Sequence, residues 1–199
     1  ESSKIQGRGK IWLWWQLLKW QVGLSVNSPY TLADMAADAV TVMDALDIEK
    51  AHVIGASMGG MIAQIIAVDY PQRTNSLISI MSTTGAPHLS PPGEQQSEGI
   101  SDMNESSEEQ AERLKNMGIF TSALPNQLTA IFNAGDRTEK VKQIAVPTLV
   151  LHGEDDQLLP IDHGQFTAEN IKGSTFKVYE DMGHNMPKQI IPVMVRDML

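Results

Sequence analysis

The sequence predicts an α/β fold, a mostly parallel sheet flanked by helices. Three observations support it. Short apolar runs rich in β-branched residues recur at 51–54, 77–81, 147–151 and 176–179, and segments of helical period separate them. That alternation is the pattern of parallel strands joined by crossover helices. Between the first run and its helix lies Gly55-Ala56-Ser57-Met58-Gly59-Gly60, a G-x-S-x-G turn that puts a serine at a sharp strand-to-helix junction. At 199 residues and 42% hydrophobic, the chain has enough apolar surface for one domain with a sizeable core.

At the N-terminus, Lys4, Arg8 and Lys10 precede Ile11-Trp12-Leu13-Trp14-Trp15-Gln16-Leu17-Leu18. Basic and then apolar, this resembles the start of a signal peptide. Lys19-Trp20-Gln21-Val22 follows in place of a small-x-small cleavage site, so the expected location is cytoplasmic. All four tryptophans fall between residues 12 and 20, which makes 1–22 an atypical segment suited to core or interface packing.

Pro29-Tyr30-Thr31 opens a helix with Thr31 as N-cap and Asp34 at its third position. Leu32, Met35, Ala36, Ala39, Val40, Met43 and Leu46 recur at helical spacing to about Asp47, and Asp34, Asp38 and Asp44 read as solvated face charges. Ala51-His52-Val53-Ile54 reads as a buried strand and Met61 to Ala67 as a core helix, which Pro71 stops. Leu77 to Met81 is the next strand. From 86 to about 122 the chain turns acidic and is broken by Pro87, Pro91, Pro92 and Gly93, the composition of a short lid with a solvated acid cluster.

Leu124 to Phe132 and Thr138 to Ile144 read as helices, and Pro147 to Leu151 as a strong strand running into His152-Gly153-Glu154-Asp155-Asp156. A helix over 161–171, a strand over 176–179, a loop at Gly183-His184-Asn185 and a closing helix over 190–199 complete the chain. In a parallel sheet, reacting groups belong at the carboxyl ends of the strands, and Ser57, Asp156 and His184 each stand there.

Those three residue types form a known division of labour. A serine hydroxyl needs a base to take its proton, an imidazole suits that task, and a carboxylate on the other ring nitrogen fixes its tautomer. Glycines at 55 and 59 leave room for the bend, and the helix that follows offers the Met58 N–H to a developing oxyanion. Among the other histidines, His52 reads as a packed core or edge residue, His152 as structural, and His88 and His163 as solvated.

A net charge of −9 and a pI near 4.9 argue against nucleic acid and anionic membrane as partners. The absence of cysteine excludes a thiolate nucleophile, Cys-ligated metal and disulfides. No metal or organic cofactor is expected, and no apolar run reaches the ~18 residues of a membrane span.

The residues resemble the α/β-hydrolase superfamily, in particular bacterial carboxylesterase-like members that include anthracycline methylesterases. The resemblance rests on Tyr30 to Asp38, on Gly55 to Gln64, on Met81-Ser82-Thr83-Thr84-Gly85, on Val146 to Asp156 and on Asp181-Met182-Gly183-His184-Asn185-Met186-Pro187, covering roughly 23–86 and 123–199. It implies an acid three residues after Gly153, selecting Asp156 over Asp155. Such enzymes carry further strands before the region matching Gly23-Leu24-Ser25, one of which ends in a His-Gly loop that supplies a second oxyanion N–H. The expectation is therefore a truncated α/β-hydrolase fold with an open edge at strand 51–54. The Trp-rich segment would supply a replacement strand, or the edge would pair with another subunit as a homo-oligomer.

The implied activity is hydrolysis of small carboxylic esters through an acyl-serine intermediate. A second oxyanion donor would come from residues 20–27, the lid or a neighbouring subunit. Lactone opening or acyl transfer on the same three residues, and a non-catalytic interaction role for the fold, are the alternatives. An enzyme loses turnover on Ser57→Ala; a binding module keeps its partner.

Overall fold

The computed structural model describes residues 10–22, 24–91 and 124–199. These fall into two compact units, 10–31 with 124–135 and 32–91 with 136–199. The greater part of the lid expected at 86–122 lies outside the described residues.

In the first unit, α1 (Lys10–Gln21) and α4 (Leu124–Ala134) pack through the Trp20 and Phe132 rings, whose centroids are 4.9 Å apart. Gln16, buried on α1, accepts from the Asn27 N–H at 3.0 Å, and the Asn133 side chain donates to the Val26 carbonyl at 2.7 Å. The replacement strand expected from the Trp-rich segment is thus a helix. Its run is apolar without strand alternation and holds Leu, Gln and Lys, all good helix formers, with no Gly or Pro. Trp14 is 73% exposed and Trp15 59%.

The second unit holds the sheet. Its four strands are β1 (Ala51–Ala56), β2 (Thr74–Ile80), β3 (Thr148–Gly153) and β4 (Thr175–Tyr179), all parallel and in sequence order across the sheet. Val53 stands opposite Leu77, Leu77 opposite Thr148, and Leu151 opposite Lys177. The helices are α2 (Leu32–Ala45), α3 (Met58–Asp69), α5 (Thr138–Val141), α6 (Ile161–Glu169) and α7 (Ile191–Met198). Tyr70 ends α3 and Pro71–Arg73 forms a 3₁₀ turn, as the proline predicts.

Alternation along each strand builds two cores on opposite faces of the sheet. Leu77 joins Ala63, Ala67, Val141, Ile144 and Ile171 on the α3 face. Ile78 and Ile80 join Leu151, Tyr179, Met182 and Met194 on the α7 face. β1 differs from the buried strand expected for 51–54. Among the described residues it is an end strand, and its side chains alternate between half-buried and exposed, with Ile54 54% exposed. His52 stays at this edge, its Nδ1 2.7 Å from Ser76 Oγ on the next strand. The arrangement delivers three strand ends, those of β1, β3 and β4, to one edge of the sheet.

Candidate active site

Ser57 follows β1 directly and precedes α3, with φ 54° and ψ −122°. This lies in the left-handed half of backbone space, which a non-glycine residue holds only when its surroundings over-determine it. The Ser57 N–H donates to the Ile80 carbonyl at 2.9 Å, and its own carbonyl accepts from the Gly60 and Met61 amides at 2.9 and 3.2 Å. A Cβ on Gly55 would collide with the Gly59 carbonyl, so Gly55 is required by space. Gly59 is not: a Cβ there meets nothing within 4 Å, against the expectation that both glycines relieve the bend. The second demand falls on Gly60, whose Cβ would lie 2.6 Å from Ser82 Cβ. The turn is tight on the side facing the end of β2, not along the outer surface of α3.

Asp156 stands just beyond β3, three residues after Gly153, and is buried. Its Oδ1 accepts from the Leu158 and Leu159 amides at 3.0 and 2.9 Å, which leaves Oδ2 for the imidazole. His184 lies in the loop after β4. Its Nδ1 is 2.7 Å from Asp156 Oδ2 and its Nε2 is 2.8 Å from Ser57 Oγ. A carboxylate only accepts, so Nδ1 carries the hydrogen and donates it; Nε2 then accepts from the serine hydroxyl. The structure brings together the three residues expected from the sequence, 28 and 127 residues from His184 along the chain, in one line of hydrogen bonds. Met58 is the first residue of α3, so its N–H has no acceptor within the helix.

His152 is fully buried beside this line, with Nε2 3.5 Å from Asp156 Oδ2. Its Nε2–H donates to the Leu159 carbonyl at 2.7 Å and so closes the loop that presents the two amides to Asp156. Burial holds its pKa below the ordinary imidazole value, against the opposing pull of the Leu159 carbonyl and Asp156. A Cβ on Gly164 of α6 would strike this ring. The structural reading of His152 therefore stands, and it is the acid loop that the residue supports.

His163 departs from expectation. It is buried, not solvated: its Nε2–H donates to the Ser90 carbonyl at 2.9 Å and its Nδ1 accepts from the Thr83 hydroxyl at 2.7 Å. With Asp162, which accepts from the Ser90 amide at 2.8 Å, it fastens the segment after β2 to α6. Its His-Gly neighbourhood, at the start of a helix, gave no sign of burial. His88 is exposed and meets the Phe166 ring edge-on at 4.7 Å between centroids.

Arg137 was not singled out by the sequence, where it stands among other charges in Asp136-Arg137-Thr138-Glu139-Lys140 and nothing marks it as buried. It is buried, donating to Gln64 Oε1 at 2.8 Å and to the Thr83 carbonyl at 2.6 Å, and it ties α3 to the end of β2. Burial lowers its pKa to about 10, which leaves it charged at neutral pH. Among the described residues no group of three or more His, Asp or Glu side chains could hold a metal ion, and no helix is long and apolar enough to cross a membrane.

Residues 6–105 match a family model described as alpha/beta hydrolase fold. A 2-hydroxy-6-oxononadienedioate/2-hydroxy-6-oxononatrienedioate hydrolase of Cupriavidus pinatubonensis is 29% identical over 171 residues, covering 72% of this chain and 58% of its own. A 2-hydroxy-6-oxo-6-phenylhexa-2,4-dienoate hydrolase of Burkholderia cepacia is 30% identical over 172 residues, covering 72% and 59%. The chain thus spans under two-thirds of the length of these relatives. Among solved structures, an alpha/beta fold family hydrolase from Bacillus anthracis str. Sterne superposes with a TM-score of 0.72 at 18% identity, over 85% of this chain and 74% of that one. At that identity the likeness is one of fold.

Proposed function

The chain belongs to the α/β-hydrolase fold family, and from that premise we propose that it is a serine hydrolase of small carboxylic esters. The observation that supports this reading is the unbroken hydrogen-bond line from Ser57 Oγ through His184 to Asp156. Ser57 Oγ attacks the ester carbonyl carbon as its proton passes to His184 Nε2. Asp156 holds the Nδ1–H and stabilises the imidazolium. The Met58 N–H receives charge on the tetrahedral oxygen. His184 returns the proton to the departing alkoxide, which leaves an acyl-serine. A water molecule gives its proton to the same nitrogen and attacks the acyl carbon, and collapse releases the acid and restores Ser57. No step calls on a metal or organic cofactor.

A second reading shares this machinery. The two relatives named above are hydrolases of hydroxy-oxo-dienoates, compounds without an ester, so the bond cut beside the ketone would join carbon to carbon. The same serine, imidazole and carboxylate would attack a ketone carbonyl in place of an ester.

The test is turnover of a short-chain p-nitrophenyl ester and of 2-hydroxy-6-oxo-6-phenylhexa-2,4-dienoate by wild type beside Ser57→Ala. Wild-type hydrolysis of the ester, lost in the variant, is the expected result. Turnover of the dienoate alone moves the proposal to the second reading. Rates equal to buffer for both compounds overturn both readings and leave lactone opening, acyl transfer or a non-catalytic role, which a wider substrate panel separates.

A further inference from the structure

We propose that Ser82 is a positioning residue for the oxyanion donor: its hydroxyl fixes the direction of the Met58 N–H by holding the Ser57 carbonyl. This rests on the proposed serine-hydrolase reading and assigns a role that the line of Ser57, His184 and Asp156 does not use.

The geometry begins with the peptide unit between Ser57 and Met58. Its carbonyl and N–H lie in one plane and point in opposite directions. Whatever fixes the Ser57 oxygen therefore fixes the Met58 N–H. The Ser82 hydroxyl donates to that oxygen at 2.9 Å. The other two donors, Gly60 N and Met61 N, belong to the first turn of α3, whose end residues fray when nothing outside the helix holds them. Ser82 is the anchor from outside. It is 2% exposed and stands two residues past β2, on the strand end packed beside the turn.

The contact is built for, not incidental. Gly60 opens the space it needs, since a Cβ there would lie 2.6 Å from Ser82 Cβ and 2.7 Å from its Oγ. A glycine in the first turn of a helix costs stability relative to alanine, and here it admits the hydroxyl to the Ser57 carbonyl. The bond also draws electron density toward that oxygen, which polarises the peptide and strengthens the N–H as a donor. At φ 54° the Ser57 backbone is strained; the Ile80 carbonyl holds its N–H side, and the Ser82 hydroxyl holds the carbonyl side that carries the Met58 N–H.

The experiment compares wild type, Ser57→Ala, Ser82→Ala and Gly60→Ala by four readouts. These are kcat and KM on a p-nitrophenyl ester, the rate of Ser57 labelling by a fluorophosphonate, the affinity of a trifluoromethyl ketone, and Tm. The ketone's hemiketal oxygen mimics the oxyanion. Expected for both Ser82→Ala and Gly60→Ala is a kcat about tenfold lower with KM within about twofold, short of the ~10²–10³ lost when an oxyanion donor is removed outright. Ketone affinity and labelling rate fall by the same factor. A residue that served only the fold would lower Tm and leave the ketone's affinity unchanged in the folded fraction. Unchanged kcat and ketone affinity in Ser82→Ala overturn the proposal, as does failure of both variants to fold. If wild type neither turns over nor labels, the serine-hydrolase reading fails first and the role of Ser82 with it.

Discussion

The Met182 carbonyl lies against the α-carbon of Gly153, in the space that a side chain at that position would occupy. The contact is reinforced by the Asp155 N–H, which donates to Met182 at 3.1 Å, and by the Glu154 N–H, which donates to Tyr179 at 3.0 Å. The end of β3 and the loop after β4 are thereby seamed together, and the seam sets the 2.7 Å spacing of Asp156 and His184.

Gly153→Ala therefore drives the two loops apart. The expected result is loss of activity by about a hundredfold or more, because displacement of about 1 Å at a reacting group costs that much. Gly183→Ala is the control: a Cβ there meets nothing closer than 3.5 Å, an ordinary contact, and activity stays within a few-fold of wild type. Steady-state kinetics with circular dichroism separates the two. Equal loss in both variants would remove the seam as the cause.

Asp156→Asn tests the tautomer. The Leu158 and Leu159 amides demand an oxygen at Oδ1, so the asparagine NH₂ must face His184. It would donate to Nδ1, force the ring hydrogen onto Nε2, and leave Ser57 with no acceptor. A fall in kcat of roughly 10³–10⁴ with KM little changed follows. A loss under tenfold would mean that the carboxylate is not what orients the ring.

Legibility in the sequence followed the range of the interactions. β-branched runs, the proline stop at Pro71 and the G-x-S-x-G turn are local signals, and the strands, the end of α3 and Ser57 stand where these put them. His184 and the acidic stretch after Gly153 were readable because strand ends converge in a parallel sheet, but only the family resemblance selected Asp156 over Asp155. The Trp-rich run was open between strand and helix because tryptophans mark neither period; it is a helix over 10–21, and its Trp20 ring meets Phe132. The burial of His163 depends on Thr83 and Ser90, 80 and 73 residues away, and the need for Gly60 and not Gly59 depends on Ser82. No spacing within a helix or strand encodes such contacts.

His152 gives stability a pH dependence. Its folded-state pKa is held below the ordinary 6.5 by burial, so the unfolded chain binds the proton more readily. Unfolding free energy then rises with pH where the unfolded state holds more protons, and this contribution is lost as pH falls through about 6.5 toward the folded value. His152→Gln cannot titrate and its amide nitrogen can reach the Leu159 carbonyl. Urea denaturation should show wild type losing stability relative to the variant as pH falls below about 6.5, by at most ~1.4 kcal/mol per pH unit. Parallel curves would show that the imidazole titrates alike in both states.

Among the described residues β1 is hydrogen-bonded to β2 on one side only, and Ile54 on it is 54% exposed. A row of unpaired backbone donors and acceptors beside an exposed branched side chain is a template for another strand, and a lysine on such an edge blocks pairing by keeping its charge in water. Association through β1 should appear as a sedimentation coefficient that rises with concentration in wild type and stays at the monomer value in Ile54→Lys. Wild type that remains monomeric at the highest concentration reached would show that this edge recruits no second copy. An Ile54→Lys variant that associates as wild type does would move the contact to another surface, for which the exposed tryptophans Trp14 and Trp15 of α1 are the next place to substitute.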